Sequence, residues 1–293
     1  MNILFYGSCN VCALVESMNS RDSILGKSLE SHSITSILCQ DTKLTQTEFL
    51  QVIQKQDVII TVPISNNYRN SYFLSTEFIL KNKNEKTKLI IFASLHSHYY
   101  YFDYGHIFEK EITINKPHHL HFKTLFEFYK KGKTGKQFID ECVYNPEFKS
   151  YEELHSFATQ DIEELSRRQD LLVNFKKEYQ NVEVIDAVTF IKNNYKKHLM
   201  FYSLNHPSNY LLYFIAEEIL KLLKISEKLI NRNAIAFDDK FLLYNCQQKY
   251  FDFDINARTP DFKLISNNNN INSLEEAVSY YYDSYKEQKI KKY

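Results

Sequence analysis

The segment Gly7-Ser8-Cys9-Asn10 sets a hydroxyl and a thiol side by side directly after an apolar run, Ile3-Leu4-Phe5-Tyr6. A glycine lets a chain turn sharply from strand to helix. A nucleophile at the helix N-terminus then gains from the positive end of the dipole and from backbone N–H groups that can also hold an oxyanion. Cys9 is the candidate nucleophile and Ser8 the second, and the setting predicts a thiol of depressed pKa. The competing structural reading is a small buried cysteine that merely starts the first helix. Cys9-Asn10-Val11-Cys12 is also a C-x-x-C, the spacing of a redox pair, but it follows the first strand of a chain far larger than a thioredoxin-like fold needs. The segment lacks the second glycine and the Lys-Ser/Thr pair of a phosphate-binding loop.

"SLNHPSN", residues 203–209, supplies the partner chemistry. His206 follows an apolar run, is fixed by Pro207 and precedes a helix that Ser208 or Asn209 can cap. That is where a general base belongs if it is to serve Cys9. Asn10 and Asn205, next to these two candidates, are the oxyanion and positioning residues. In "PISNNYRN", residues 63–70, Arg69 offers the paired donors that clamp a phosphate or carboxylate, with Ser65 and Asn66 beside it. A surface arginine in a salt bridge is the alternative. "SLHSHYYYFDYG", residues 94–105, brings Tyr99 and Tyr104 as an aromatic surface. His96 and His98 alternate, and His118, His119 and His121 crowd after Pro117, but no acidic or thiol ligand stands at a recognisable spacing, so no metal is expected.

These residues follow short apolar runs that alternate with helical patterns, the signature of an α/β fold with an open, mainly parallel sheet. Strands are predicted near Ile3–Tyr6, Ser33–Cys39, Asp57–Val62 and Leu89–Phe92, with helices over Cys9–Met18, Thr45–Gln54 and Ser71–Lys81. Ligands in such sheets bind beyond the carboxyl ends of the strands, so the loops above should share one rim. From 116 to 180 the pattern turns helical, with Leu154, Ala158, Ile162, Leu165, Leu172, Phe175 and Tyr179 along one face. This divides the chain into a first part of the α/β domain (1–115), a helical insertion (116–180) and the remainder with C-terminal helices (181–293). In the last part a helix is predicted over Asp186–Tyr195, a late strand at "HLMFYS", a strong helix after it, a polar loop at "NNNNINS" and an exposed terminal helix.

Composition bounds the partners. Basic and acidic residues number 36 each, so no global field draws the chain to nucleic acid. The start carries no basic n-region, and "LLYFIAEEILKLL" is interrupted by Glu217 and Glu218, so neither a signal peptide nor a membrane span is expected. Five scattered cysteines suit reduced thiols in a cytoplasm.

The blocks "ILFYGSCN", "DVIITVPISNNYRN" and "LMFYSLNHPSNYLLYFIAEEIL" together resemble the WcbI-type proteins of bacterial polysaccharide biosynthesis, in order over roughly residues 3 to 224. The resemblance implies an acetyltransferase that takes coenzyme A or acetyl-CoA as substrate and O-acetylates a capsular or other surface polysaccharide or its precursor. Under it, Arg69 with Ser65 holds coenzyme A phosphates and Tyr99 to Tyr104 the pantetheine or sugar. The partners implied are a carbohydrate acceptor and a homo-oligomer or capsule-assembly complex. Ser8 and Asn10 depart from the family's Gly-Asn-Cys-Gln, while Asn205-His206-Pro207 keeps its late block. The first block also resembles the Gly-Asp-Ser block of SGNH hydrolases, with Cys9 at their serine. This adds an SGNH- or flavodoxin-like three-layer architecture and a carbohydrate esterase as the alternative function. Their Asp two residues before the histidine is Leu204 here, with Ser203 one residue earlier, and no third triad member is identified. A non-catalytic binder of coenzyme A or glycan is the remaining reading.

Overall fold

The computed structural model describes residues 1–19, 32–109, 112–114, 120–225, 241, 243–248, 250–252, 264–266, 269–288 and 290. Its helices, in chain order, include α1 (Cys9–Asn19), α2 (Gln46–Gln54), α3 (Thr76–Asn82), α4 (Lys123–Lys130), α5 (Tyr151–Glu178), α6 (Ala187–Asn194), α7 (Asn209–Leu223) and α8 (Leu274–Glu287). The chain divides into two compact units. One holds Met1–Leu95, Ile162–Asn193 and the segment opening at His206; the other holds His96–Asp161, Asn194–Asn205 and the described residues from Phe241 onward. The stretch expected as a helical insertion is shared between them, α4 lying in the second unit and α5 passing into the first from Ile162.

The first unit is built on five parallel strands, β1 (Asn2–Gly7), β2 (Ser33–Leu38), β3 (Val58–Thr61), β4 (Lys88–Phe92) and β5 (Val182–Ile185), in the order β2-β1-β3-β4-β5. Ile3, Leu4, Ile59, Ile60 and Leu89 through Phe92 are wholly buried. Such unbroken apolar runs belong to strands covered on both faces. The order reverses between β1 and β3, so the loops after these two strands flank the crevice where ligands of open α/β sheets bind.

Some expectations are corrected. The sheet's last strand is Val182–Ile185, not "HLMFYS": Met200 and Phe201 are buried in an irregular segment of the second unit, where Phe201 O accepts from Tyr101 Oη at 2.8 Å. The helix expected over Ser71–Lys81 breaks into short 3-10 turns before α3, because Ser75 caps α3 by accepting from Phe78 N–H at 3.1 Å. Part of "NNNNINS" forms a strand, Asn269–Ile271 pairing antiparallel with Leu264–Ser266. The terminal helix α8 is not exposed. Ala277, Val278, Tyr281 and Tyr285 are buried, with Tyr281 Oη donating to Leu120 O at 2.7 Å.

Gly7 is required by close approach. A Cβ there would lie 2.7 Å from Val11 Cγ2 and 3.1 Å from Val62 Cγ2, both on stiff β-branched side chains. Gly7→Ala is therefore expected to destabilise the fold by about 1–3 kcal/mol, read as a lower urea midpoint. An unchanged midpoint would show that the β1–α1 turn has room to spare.

Candidate functional site

The crevice is built from loops that hydrogen-bond one another within the first unit. Ser8 starts α1, its carbonyl accepting from the N–H groups of Val11 at 3.0 Å and Cys12 at 3.3 Å. Cys39 N–H, after β2, donates to Gly7 O at 2.8 Å. Asn10 is buried and its Nδ2 donates to Leu95 O, just past β4, at 3.2 Å. The ends of β1, β2 and β4 are thus tied around the first turn of α1.

Cys9, the first residue of α1, is half-buried, and the backbone N–H groups of Cys9 and Asn10 favour its thiolate form. The expected depression of its pKa is corrected. Burial pushes the thiol up, outweighing the pull of the Asn10 and Cys9 N–H groups, and neighbouring Cys12 and Cys39 push the same way. The Tyr68 hydroxyl hydrogen-bonds the Cys39 sulfur and lowers that thiol, but burial again dominates and raises it. Cys9 and Cys12 are both free thiols, so no disulfide joins the C-x-x-C. Alkylation of Cys9 by iodoacetamide, mapped by mass spectrometry against pH, is expected to show a midpoint above the 9.0 of an ordinary thiol. A midpoint below that value would mean the helix terminus wins over burial.

Asn10 commits its side-chain N–H to Leu95 O, which leaves the backbone N–H groups of Cys9 and Asn10 at the start of α1 beside the thiol. The Asn10 side-chain oxygen is buried and accepts no hydrogen bond among the described residues.

His206, half-buried, lies in the same unit as Cys9 and immediately before Pro207 and α7, which packs on α1. Ser208 takes the N-cap position of α7 with extended backbone, but neither it nor Asn209 caps as expected: the Ser208 side chain makes no capping hydrogen bond. Asn205 is exposed and belongs to the second unit.

Ser65 and Arg69 are exposed on the loop after β3. The Arg69 guanidinium donates to the Gln40 carbonyl, beyond β2. Arg69 and Asn70 both have positive φ, 52° and 57°. Asparagine tolerates this region; for arginine it costs roughly 1–2 kcal/mol, a strain of the kind that collects at ligand-binding loops.

Tyr99 and Tyr104 do not form a surface. They are 1% and 2% exposed, with Tyr104 stacked on Phe241 at 4.4 Å and Tyr99 tilted on Tyr100 at 4.2 Å, because the second unit fills its core with aromatic rings. His121 is buried there as well, its ring nitrogens engaged by Tyr285 Oη at 2.9 Å and Ile114 O at 2.8 Å. His96 and His98 face each other edge-on at 5.5 Å. Among the described residues no His, Cys, Asp and Glu side chains gather as a metal site would; His118 and His119 lie outside them. No described helix is long and apolar enough to cross a membrane.

Sequence reasoning passed over a cavity of about 590 Å³ in the first unit, between the loop after β3, Ser94 after β4, and α5. Arg168, Leu171 and Phe175 of α5 line it, with Tyr179 just beyond the helix. The signal was present in the helical periodicity, which marked Phe175 and Tyr179 as one face.

A search of curated proteins finds no match. A solved structure of WcbI, described as a novel polysaccharide biosynthesis enzyme and as the native protein without a disulfide bond between coenzyme A and one of its cysteines, matches with a TM-score of 0.73 at 17% identity. The match covers 98% of this chain and 90% of that one. At that identity the likeness is one of fold. The sequence profile of the polysaccharide biosynthesis enzyme WcbI matches residues 2–228. With that profile spanning most of its length, the chain belongs to the WcbI family of polysaccharide biosynthesis enzymes.

Proposed function

We propose that the protein is a coenzyme A-dependent O-acetyltransferase acting on a capsular or other surface polysaccharide or its precursor. The observation that carries this reading is Cys9, half-buried at the first residue of α1, directly after the strand that borders the β1/β3 crevice. The family supports it, as does the WcbI structure, whose description names coenzyme A and a cysteine, as the native protein without a disulfide bond between them.

In the first step Cys9 Sγ attacks the carbonyl carbon of acetyl-CoA, the C–S bond to coenzyme A breaks, and the departing thiolate takes up the proton that Cys9 gives away. In the second, a sugar hydroxyl oxygen attacks the Cys9 thioester, His206 accepts the hydroxyl proton, and Cys9 leaves and is reprotonated. Because burial keeps the resting thiol neutral, Sγ gives up its proton as the C–S bond forms, which counts against a fast first step. The N–H groups of Cys9 and Asn10 hold the oxyanion in both steps. Ser8 is the second nucleophile candidate, and Asn205 positions His206. Arg69, with Ser65, engages coenzyme A phosphates. The reading places the protein in the bacterial cytoplasm, with a carbohydrate acceptor as its partner, and as a homo-oligomer or part of a capsule-assembly complex.

The test is to follow free coenzyme A and acetylated glycan by chromatography, with acetyl-CoA present and the acceptor supplied or withheld. A transferase turns over to both products only with acceptor, releasing at most one equivalent of coenzyme A per protein without it. An SGNH-like esterase would instead release acetate from an acetylated glycan without coenzyme A. The raised Cys9 pKa favours one second reading, a non-catalytic coenzyme A binder, which would bind coenzyme A and form neither product.

A further inference from the structure

Resting on the transferase reading, we propose that the cavity between the β3 loop and α5 is the acceptor subsite and that it takes a sugar unit without acidic groups. Its volume, about 590 Å³, falls among those of small-molecule sites. Its place fits the reaction. The cavity reaches from Ser65 and Asn66, after β3, to Ser94, after β4. Asn10, next to Cys9, is hydrogen-bonded to Leu95, the residue following Ser94. In the strand order β1 neighbours β3 and β3 neighbours β4, so the loops that line the cavity follow the strand beside the one that leads into Cys9 and the strand next to that. Ser65, on the cavity's edge, also belongs to the loop assigned to the donor's phosphates, so donor and acceptor would meet on one loop.

The lining matches a sugar. Leu171 is 49% exposed and Phe175 and Tyr179 are half-buried, their rings edge to face at 6.4 Å. This is a partly solvated apolar surface for the C–H face of a pyranose. Ser65, Asn66, Thr76 and Ser94 add hydroxyl and amide groups around it.

The charges choose the kind of sugar. Glu77 and Glu178 line the cavity; Glu77 is paired with Lys81 and accepts from the Asn66 amide, and the Tyr179 hydroxyl lies against the Glu178 carboxylate, which supplies the negative charge of the lining. The lining cation, Arg168, is already engaged: its Nε donates to Glu164 at 2.8 Å and its terminal nitrogen to Ser94 O at 3.2 Å. Carboxylates accept hydrogen bonds from neutral hydroxyls and repel another carboxylate, so a uronic acid is disfavoured, as are the phosphates of the donor.

The test uses the purified full chain on immobilised neutral and uronic-acid oligosaccharides, with the acetyl adduct on Cys9 measured in parallel. Neutral glycans are expected to bind at least about tenfold more tightly than uronates, and Phe175→Ala to weaken them about tenfold. Glu178→Lys, at the exposed end of α5 where a new cation suits the dipole, is expected to raise uronate binding severalfold without lowering the melting temperature. It therefore remains informative even where Phe175→Ala fails to fold. Preference for uronates, absence of glycan binding, or binding that neither variant changes would overturn the assignment. An adduct on Cys9 without neutral-glycan binding removes the cavity proposal alone. Glycan binding without an adduct removes the covalent transferase reading alone.

Discussion

Cys9→Ala is expected to lower acetyl transfer to glycan by about 10³-fold while coenzyme A affinity stays within about threefold, a loss near 4 kcal/mol that falls on the transition state rather than on binding. Cys9 opens α1 directly after the strand that borders the crevice between β1 and β3. Removing Sγ deletes the atom that would carry the acetyl group and leaves the backbone, and hence the oxyanion donors, in place. Alanine also keeps α1 intact, being a better helix former than cysteine. A loss of only a few-fold in rate would mean that the thiol positions acetyl-CoA for direct attack. Rates are read from acetylated glycan and affinity from calorimetry with coenzyme A.

His206→Gln is expected to lower kcat by about 10²- to 10⁴-fold, the span typical of a general base, and to abolish the acid limb of the pH–rate profile. Glutamine keeps hydrogen-bonding capacity next to Pro207 but cannot take a proton near neutrality, so a purely structural histidine would be largely rescued by it. The two variants separate by substep. His206→Gln leaves acetylation of Cys9 in place and slows transfer to the sugar, so acetyl-enzyme accumulates, whereas Cys9→Ala accumulates none. Wild-type kcat with an unaltered pH profile in His206→Gln would remove His206 from the chemistry.

The strands that carry Cys9 and the Ser65 loop were legible because each is an apolar run long enough to be buried on both faces, with helical periodicity between them. Val182–Ile185 was not. Four residues with Glu183 among them, lying between helical patterns, make a weak strand signal, and the stronger apolar run at 198–203 drew the assignment instead. That run is buried by an irregular path in the second unit, which hydropathy alone does not distinguish from a strand. Tyr99 and Tyr104 were misplaced on a surface for a related reason. A tyrosine-rich stretch reads equally as a ligand platform or as core, and only the partners found by its hydroxyls and rings, such as Phe201 O for Tyr101, decide it. The thiol's pKa was misjudged because sequence displays the helix terminus but not the depth at which it sits. The acceptor cavity was half visible. Phe175 and Tyr179 stood on one helical face, yet nothing local tied that face to the ends of β3 and β4.

The central claim is that the acetyl group passes through Cys9. It is tested most directly by mixing the protein with acetyl-CoA in the absence of glycan, quenching in acid and measuring intact mass. The account predicts an acetyl adduct that maps to Cys9, is cleaved by hydroxylamine and is missing from Cys9→Ala. A protein that turns over with glycan yet stays unmodified at every quench time would contradict it.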